Sequence, residues 1–264
     1  MAYDAVTTAA VAAELRERLP GGRVDKIVQS SIYAVALLVR AGGANQWLLL
    51  SAHPQHARVA LATERMAKAF DEPSPFVMLL RKYLEGARLD GVEQLRRDRV
   101  LRLTFRTHGT PVSLIAEIMG KHSNIILVDD KDTILGAVKR ITPALSRYRV
   151  VLPRYPYVAP PAQVQPPPRE DQHKLDPLAV TAEALAEALA ARPGDAPFAT
   201  TLVDVLAGVS PQLAREVAYR LAGDPAASLQ DLTPLPPLHL RGEGEHTAAA
   251  GASPLPRTSR GVLH

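Results

Sequence analysis

Cysteine is absent from all 264 residues. That excludes a disulfide framework, a thiolate zinc site, an iron–sulfur cluster and a cysteine nucleophile. Long apolar runs are also missing. No stretch approaches the roughly 18–20 residues a membrane helix needs, because Arg, Gly or Pro breaks each one. The first residues, MAYDAVTTAAVAAELRERLP, lack a basic leader region, and Glu14, Arg16, Glu17 and Arg18 interrupt their apolar pattern, so they do not read as a secretory signal. The expected compartment is the cytoplasm. There is no Gly-x-Ser-x-Gly, no His-Glu-x-x-His, no dinucleotide fingerprint and no carboxylate cluster at metal-ligand spacing. By residue chemistry alone the chain reads as a binding module, not an enzyme, with no cofactor, metal, membrane or small-molecule substrate.

What is present is unevenly distributed. Residues 1–158 hold 23 Lys and Arg against 15 Asp and Glu, whereas residues 159–264 hold 8 against 12. A basic first part points to a polyanionic partner, or to an Arg-rich composition on a solvated surface. Apolar spacing predicts a helix over Ala5–Leu19 behind Asp4, ended by Pro20-Gly21-Gly22. Short β-branched runs over Val24–Val28, Ala34–Val39 and Trp47–Ser51 read as an antiparallel meander. A second helix is expected at Pro75–Leu84, with Ser74 as cap and Pro75 at its first position. Strands follow at Arg88–Leu95, Val100–Arg106, Val112–Met119, Asn124–Val128 and Ile134–Lys139.

Seven prolines in Pro153–Pro168 mark an extended connector and the expected domain boundary. Helices are expected at Val180–Ala191, Phe198–Leu206 and Gln212–Leu221. The turn Ala207-Gly208-Val209-Ser210 between the last two suits a helix-hairpin-helix module. From Thr233 the chain lacks periodicity and should be disordered. The expected organisation is a first domain over 1–158, a proline-rich linker over 159–175, a helical module over 176–232 and a tail over 233–264.

Asp98-Arg99 lies at the start of a strand after a turn. An Arg presented beside an orienting Asp grips phosphate or a base edge; a turn Asp among solvated arginines is the plainer reading, and the pattern alone favours it. Arg81, Lys82, Arg88, Arg96, Arg97, Arg99, Arg102 and Arg106 crowd 26 residues that hold four acids. This is the sharpest basic patch in the chain and suits a surface that tracks a phosphate backbone. Glu117 to Asn124 places Gly120, Lys121, His122, Ser123 and Asn124 in one polar loop. It is not a phosphate-binding P-loop, because Ile115 stands where that motif needs Gly. His53 and His56 are three apart around Pro54, with no further metal ligand near in sequence. Asp4 reads first as a helix cap.

The order of these pieces carries more than any one of them. MAYDAV, GGRVDKIVQ, LLLSAHPQHARV, PSPFVMLLRKYLEGARL, RDRV, EIMGKHSNIILVDD and SRYRVVLPRYPYVAPP occur in succession. The chain thereby resembles the N-terminal part of the NFACT family, which includes the bacterial RqcH and fibronectin-binding protein A-like proteins. The resemblance covers residues 1–160 closely and extends loosely to 232.

It implies an α+β fold: an antiparallel β-sandwich or barrel-like domain with flanking helices, similar to the N-terminal domain of formamidopyrimidine-DNA glycosylases, then a helix-hairpin-helix module. It further implies a factor of ribosome-associated quality control. Such a factor binds tRNA, alanine tRNA in bacteria, and the large ribosomal subunit with its obstructed peptidyl-tRNA. It then supports template-free C-terminal alanine tailing. By the same resemblance Asp4, Asp98 and Arg99 are the tRNA-engaging residues, and Glu117–Asn124 is a signature loop without an assigned role.

The glycosylases use an N-terminal proline amine and a cysteine zinc finger. Ala2 and Tyr3 stand here and no Cys is present, so that chemistry is not expected. Family members continue into a coiled coil and a second RNA-binding domain, and residues 233–264 show no heptads. The expectation is therefore a fragment or split-gene product. A fibronectin-binding surface adhesin and a non-functional remnant are the competing readings.

Overall fold

The computed structural model describes residues 3–107, 109–161 and 174–232. Most of the expected linker and the whole expected tail lie outside the described residues. The described residues as far as Leu232 form one compact unit.

Nine strands make one antiparallel sheet: β1 (Arg23–Ser31), β2 (Ala34–Ala41), β3 (Ala44–Ser51), β4 (Arg58–Ala62), β5 (Arg88–Gln94), β6 (Val100–Arg106), β7 (Val112–Glu117), β8 (Asn124–Val128) and β9 (Ile134–Ala137). Their order is β4-β3-β2-β1-β5-β6-β7-β8-β9. Every pairing but one is a sequential hairpin. The exception joins β1 to β5 through a single register pair, Arg23 opposite Arg88. This narrow seam lets the sheet fold over until β3 approaches β8, giving the expected sandwich. Gly22 is required at the seam: a Cβ there would lie 2.6 Å from Val39 Cγ1.

The core fills the space between the two halves. Helix α1 (Ala5–Arg18) contributes Ala12 and Leu15, and Leu19 follows at its end. Helix α2 (Pro75–Leu84) contributes Val77, Leu80 and Leu84 at helical spacing, behind a Ser74 cap that accepts the Val77 N–H. Both helices start where the sequence places them, because cap and apolar period agree, joined in α2 by a first-turn proline.

Strand β4 was not expected. RVALA is short and weakly patterned, and its pairing along β3 is what makes it a strand. β7 and β8 are buried on both faces, which is why VSLIAE and NIILV are continuous runs instead of alternating ones. Their second face is covered by the chain that follows β9. Val151, Ile141 and Tyr157 pack there with Val100, Ile115 and Ile126. The prolines at 153 and 156 therefore do not open a free connector. The Tyr155 carbonyl accepts the Ile134 N–H at 2.8 Å and the Tyr157 N–H reaches the Asp132 carbonyl at 2.7 Å, docking this stretch on the sheet edge.

Helices α3 (Ala182–Ala190), α4 (Phe198–Val205) and α5 (Pro211–Ala222) pack around Phe198, Leu202, Ala214 and Ala218. Gly208 turns α4 into α5 at φ +74, and a Cβ on it would lie 2.8 Å from the Ala5 Cβ. The hairpin thus needs glycine twice over, for its backbone and for its approach to α1.

Candidate nucleic-acid interface

β5 and β6 are joined by a tight turn, Leu95–Arg97, in which Arg96 and Arg97 both adopt positive φ, 53° and 52°. Left-handed backbone costs a non-glycine residue roughly 1–2 kcal/mol. Two successive arginines in that conformation, both exposed, are where glycine or asparagine would relieve strain.

Asp98 follows, and its Oδ1 accepts the Arg99 N–H at 2.7 Å. The aspartate therefore shapes the backbone of the pair; it does not hold the Arg99 guanidinium. Arg99 is half-buried, its carbonyl accepts the Ile118 N–H at 2.8 Å, and its side chain has no hydrogen-bond or ion-pair partner among the described residues. Gln94 braces the turn, its Nε2 donating to the Asp98 carbonyl at 2.9 Å and to the Ala5 carbonyl at 2.8 Å. Asp4 and Ala5 at the start of α1, the Asp98-Arg99 turn, and Ile118 at the start of the EIMGKHSN loop thus converge at one end of the sheet.

Asp4 itself is 7% exposed. Its Oδ1 caps α1 through the Thr7 N–H at 2.8 Å, and its Oδ2 accepts the Ser210 N–H at 3.3 Å, at the start of α5. One carboxylate sits between two helix N-termini, the anion such ends favour. Burial pushes its pKa up, but hydrogen bonds from Ser210 and Thr7 outweigh that and hold it below the usual aspartate value. A second tie crosses nearby, Arg97 Nη1 to Asp176 Oδ2 at 2.7 Å.

The signature loop divides in two. Its ends are internal structure. Ser123 Oγ accepts the Met119 N–H at 2.7 Å, and the Asn124 side chain pairs with both backbone groups of Lys139 at 2.9 and 2.8 Å. Glu117 is 1% exposed and receives both terminal nitrogens of Arg149, with Nη2 at 2.6 Å, and the Tyr157 hydroxyl at 3.0 Å. Burial acts against the Arg149 charge, but Glu117 more than restores it, so its pKa stands above the ordinary value; burial and Glu117 together raise the Tyr157 phenol. Arg149 and Tyr157 were not singled out in the sequence, where nothing distinguishes them from the other residues of SRYRVVLPRYPYV. The middle of the loop is different. Gly120 turns at φ 58°, and Lys121 and His122 are exposed. They line a cleft of about 550 Å³ with Lys139, Arg140, Leu145 and Tyr148.

The basic patch is dispersed by the fold. Arg81 donates to the Ile27 carbonyl at 3.2 and 3.0 Å, and Arg102 reaches Asp132 at 2.7 Å, so both hold the structure together. Arg96 and Arg97 stand at the Asp98 turn. Lys82, Arg88 and Arg106 stand at the other end of β5 and β6, beside a groove of about 410 Å³. The His53 and His56 rings stack at 5.0 Å, and His53 Nδ1 accepts backbone N–H groups from Gln55 and His56. Among the described residues no three His, Asp or Glu side chains are placed to hold a metal ion. Among them, too, no helix is long and apolar enough to cross a membrane.

Comparison with known proteins gives a consistent set. The Rqc2 homolog RqcH of Bacillus subtilis is 36% identical over 229 residues, 83% of this chain and 38% of that protein. The ribosome quality control complex subunit 2 of Schizosaccharomyces pombe is 30% identical over 154 residues, 53% of this chain and 14% of that protein. The chain therefore spans well under half the length of these curated relatives. Among solved structures, the N-terminal domain of the fibronectin-binding protein PavA from Streptococcus pneumoniae superimposes with a TM-score of 0.71 at 32% identity, covering 84% of this chain and 80% of that one. The N-terminal part of the fibronectin/fibrinogen-binding protein from Streptococcus suis gives 0.69 at 34% identity, covering 88% and 83%. Residues 4–243 match the model of the NFACT N-terminal and middle domains, and the chain belongs to the NFACT family.

Proposed function

We propose that this chain is an RNA-binding module of ribosome-associated quality control, which engages tRNA at the end of the sheet that carries Asp98 and Arg99. One observation carries the reading. Arg99 is held in place by its backbone on both sides, yet its guanidinium has no partner among the described residues. A half-buried, unpaired guanidinium beside the exposed, strained Arg96 is a ready ligand for phosphate or a base edge. In the proposed role the module binds alanine tRNA and the obstructed large ribosomal subunit in the cytoplasm. There it supports C-terminal alanine tailing of the stalled chain and performs no catalytic step itself. Asp4 serves this site from beneath, by fixing α1 and α5 against each other.

The test is titration of the purified chain and an Asp98→Ala/Arg99→Ala variant against a tRNA pool at two salt concentrations. Binding that weakens with salt and falls in the variant supports the reading. Equal affinity in both proteins, with the fold intact by circular dichroism, removes it. The solved relatives named for fibronectin binding favour a second reading, adhesion to fibronectin, and saturable binding of immobilised fibronectin without tRNA binding would select it.

A further inference from the structure

The strand register assembles a feature that no stretch of sequence displays. Arg40 on β2 lies opposite Arg23 on β1, Arg23 lies opposite Arg88 on β5, and Arg88 lies opposite Arg106 on β6. Directly opposed residues share one face of a sheet, so four arginines drawn from a span of 84 positions form a single row across four adjacent strands. All four are exposed. At a strand spacing of about 4.8 Å the row is ~14 Å long. Like charges placed directly opposite one another oppose folding, so the row is not there to stabilise the sheet.

Its neutralisation is incomplete. Asp25 takes Arg23 at 2.7 Å and Asp90 takes Arg106 at 3.4 Å. Arg88 donates to the Gly21 carbonyl at 3.0 Å but has no counter-charge, and Arg40 has no partner at all among the described residues. Lys82 adds a further exposed cation at the groove beside Arg88 and Arg106, its Nζ 5.4 Å from the Tyr83 ring centroid. Glu85, which also borders that groove, accepts the Ile27 N–H and faces Arg81.

The row is separate from the Asp98-Arg99 end. β6 runs from Val100 to Arg106, and seven residues of extended chain put the two ends ~23 Å apart. We propose that the Arg40–Arg23–Arg88–Arg106 row is a second RNA contact, which takes the phosphate backbone of an RNA duplex other than the tRNA held at the Asp98-Arg99 end. The chemistry favours a duplex. The guanidiniums sit on a rigid sheet in register, and among the described residues no aromatic side chain belongs to the row. Tyr83 at the adjoining groove is half-buried and already faces Lys82, so the row offers charge for a phosphate ridge rather than a stacking platform for single strands. The proposal rests on the RNA-binding reading above, but it involves different residues.

The experiment measures binding of the full chain to two fluorescent probes, a tRNA and a plain RNA duplex of about two helical turns, at several salt concentrations. The variants are Arg40→Gln/Arg88→Gln, Arg40→Lys/Arg88→Lys and Asp98→Ala/Arg99→Ala. The expected result is that the glutamine pair weakens duplex binding about tenfold and flattens its salt slope by about 1.8, roughly 0.9 per lost phosphate contact. The lysine pair, which keeps the charge, restores most of both. The Asp98→Ala/Arg99→Ala variant leaves the duplex arm unchanged. Duplex binding that is absent in the parent chain, or equal in the glutamine pair, overturns the row as a contact. Equal loss of both probes in both variants overturns its separateness. If only the tRNA arm fails to respond to Asp98→Ala/Arg99→Ala, the tRNA reading falls while the row is judged on the duplex arm alone.

Discussion

Two polar loops meet at one end of the sheet, where the Arg99 carbonyl accepts the Ile118 N–H, and they handle their polar groups in opposite ways. The ends of the EIMGKHSN loop are closed on themselves: the side chains of Glu117, Ser123 and Asn124 are buried and each is bonded within the protein. The Asp98-Arg99 turn is left open, with two arginines in strained backbone and a third side chain without a partner among the described residues. The comparison teaches that a motif dense in polar residues is not by itself a site. A polar group that the fold has already satisfied serves the fold. A group held in place and left unsatisfied is available to a ligand.

The largest expected effect tests the closed loop. Glu117→Gln leaves the Arg149 guanidinium buried without its counter-charge, and breaking a buried pair from one side costs about 3–5 kcal/mol. Urea unfolding should show a loss of that size. A variant as stable as the parent would mean that the pair is not structural, and the contrast between the loops would fail.

Asp4 is the next most sensitive position. Asp4→Ala removes the cap of α1 together with its bond to Ser210, the cap residue of α5, and should cost about 1–2 kcal/mol. Because the folded carboxyl titrates below its ordinary value of 3.8, its contribution is fully present above that pH. It is lost as pH falls through the lower folded value. The stability difference between parent and Asp4→Asn should accordingly shrink in acid, and a difference that grows in acid would contradict the assignment.

The smallest effect has the opposite sign. Arg96→Gly relieves a left-handed arginine and should stabilise the fold by about 1 kcal/mol in thermal melting while weakening RNA binding. A variant that gains stability and keeps full affinity would remove Arg96 from the interface.

Much of the fold was legible in the chain, because cap, period and turn signals agreed locally at α1, α2 and β6. β4 was not, since its strand character comes from the edge of β3. The docking of residues 153–157 was hidden as well, because proline density reads as a connector when the surface it covers is unknown. The site was legible only in part. Asp98 and Arg99 stood out as a pair, but their division of labour did not, because an Asp that bonds the next backbone N–H looks the same in sequence as one that holds the next guanidinium. The Arg23 and Arg40 members of the row carried no signal, since register, not spacing, brings them together.

The most direct measurement of the central claim is a paired one on Arg99→Ala: thermal melting and tRNA affinity of the same preparation. The account predicts a melting temperature within a degree or two of the parent, because the guanidinium bonds nothing among the described residues, together with a binding loss of roughly 1.5–3 kcal/mol for a lost charged contact. A variant that melts markedly lower, or one that binds tRNA as the parent does, would contradict it.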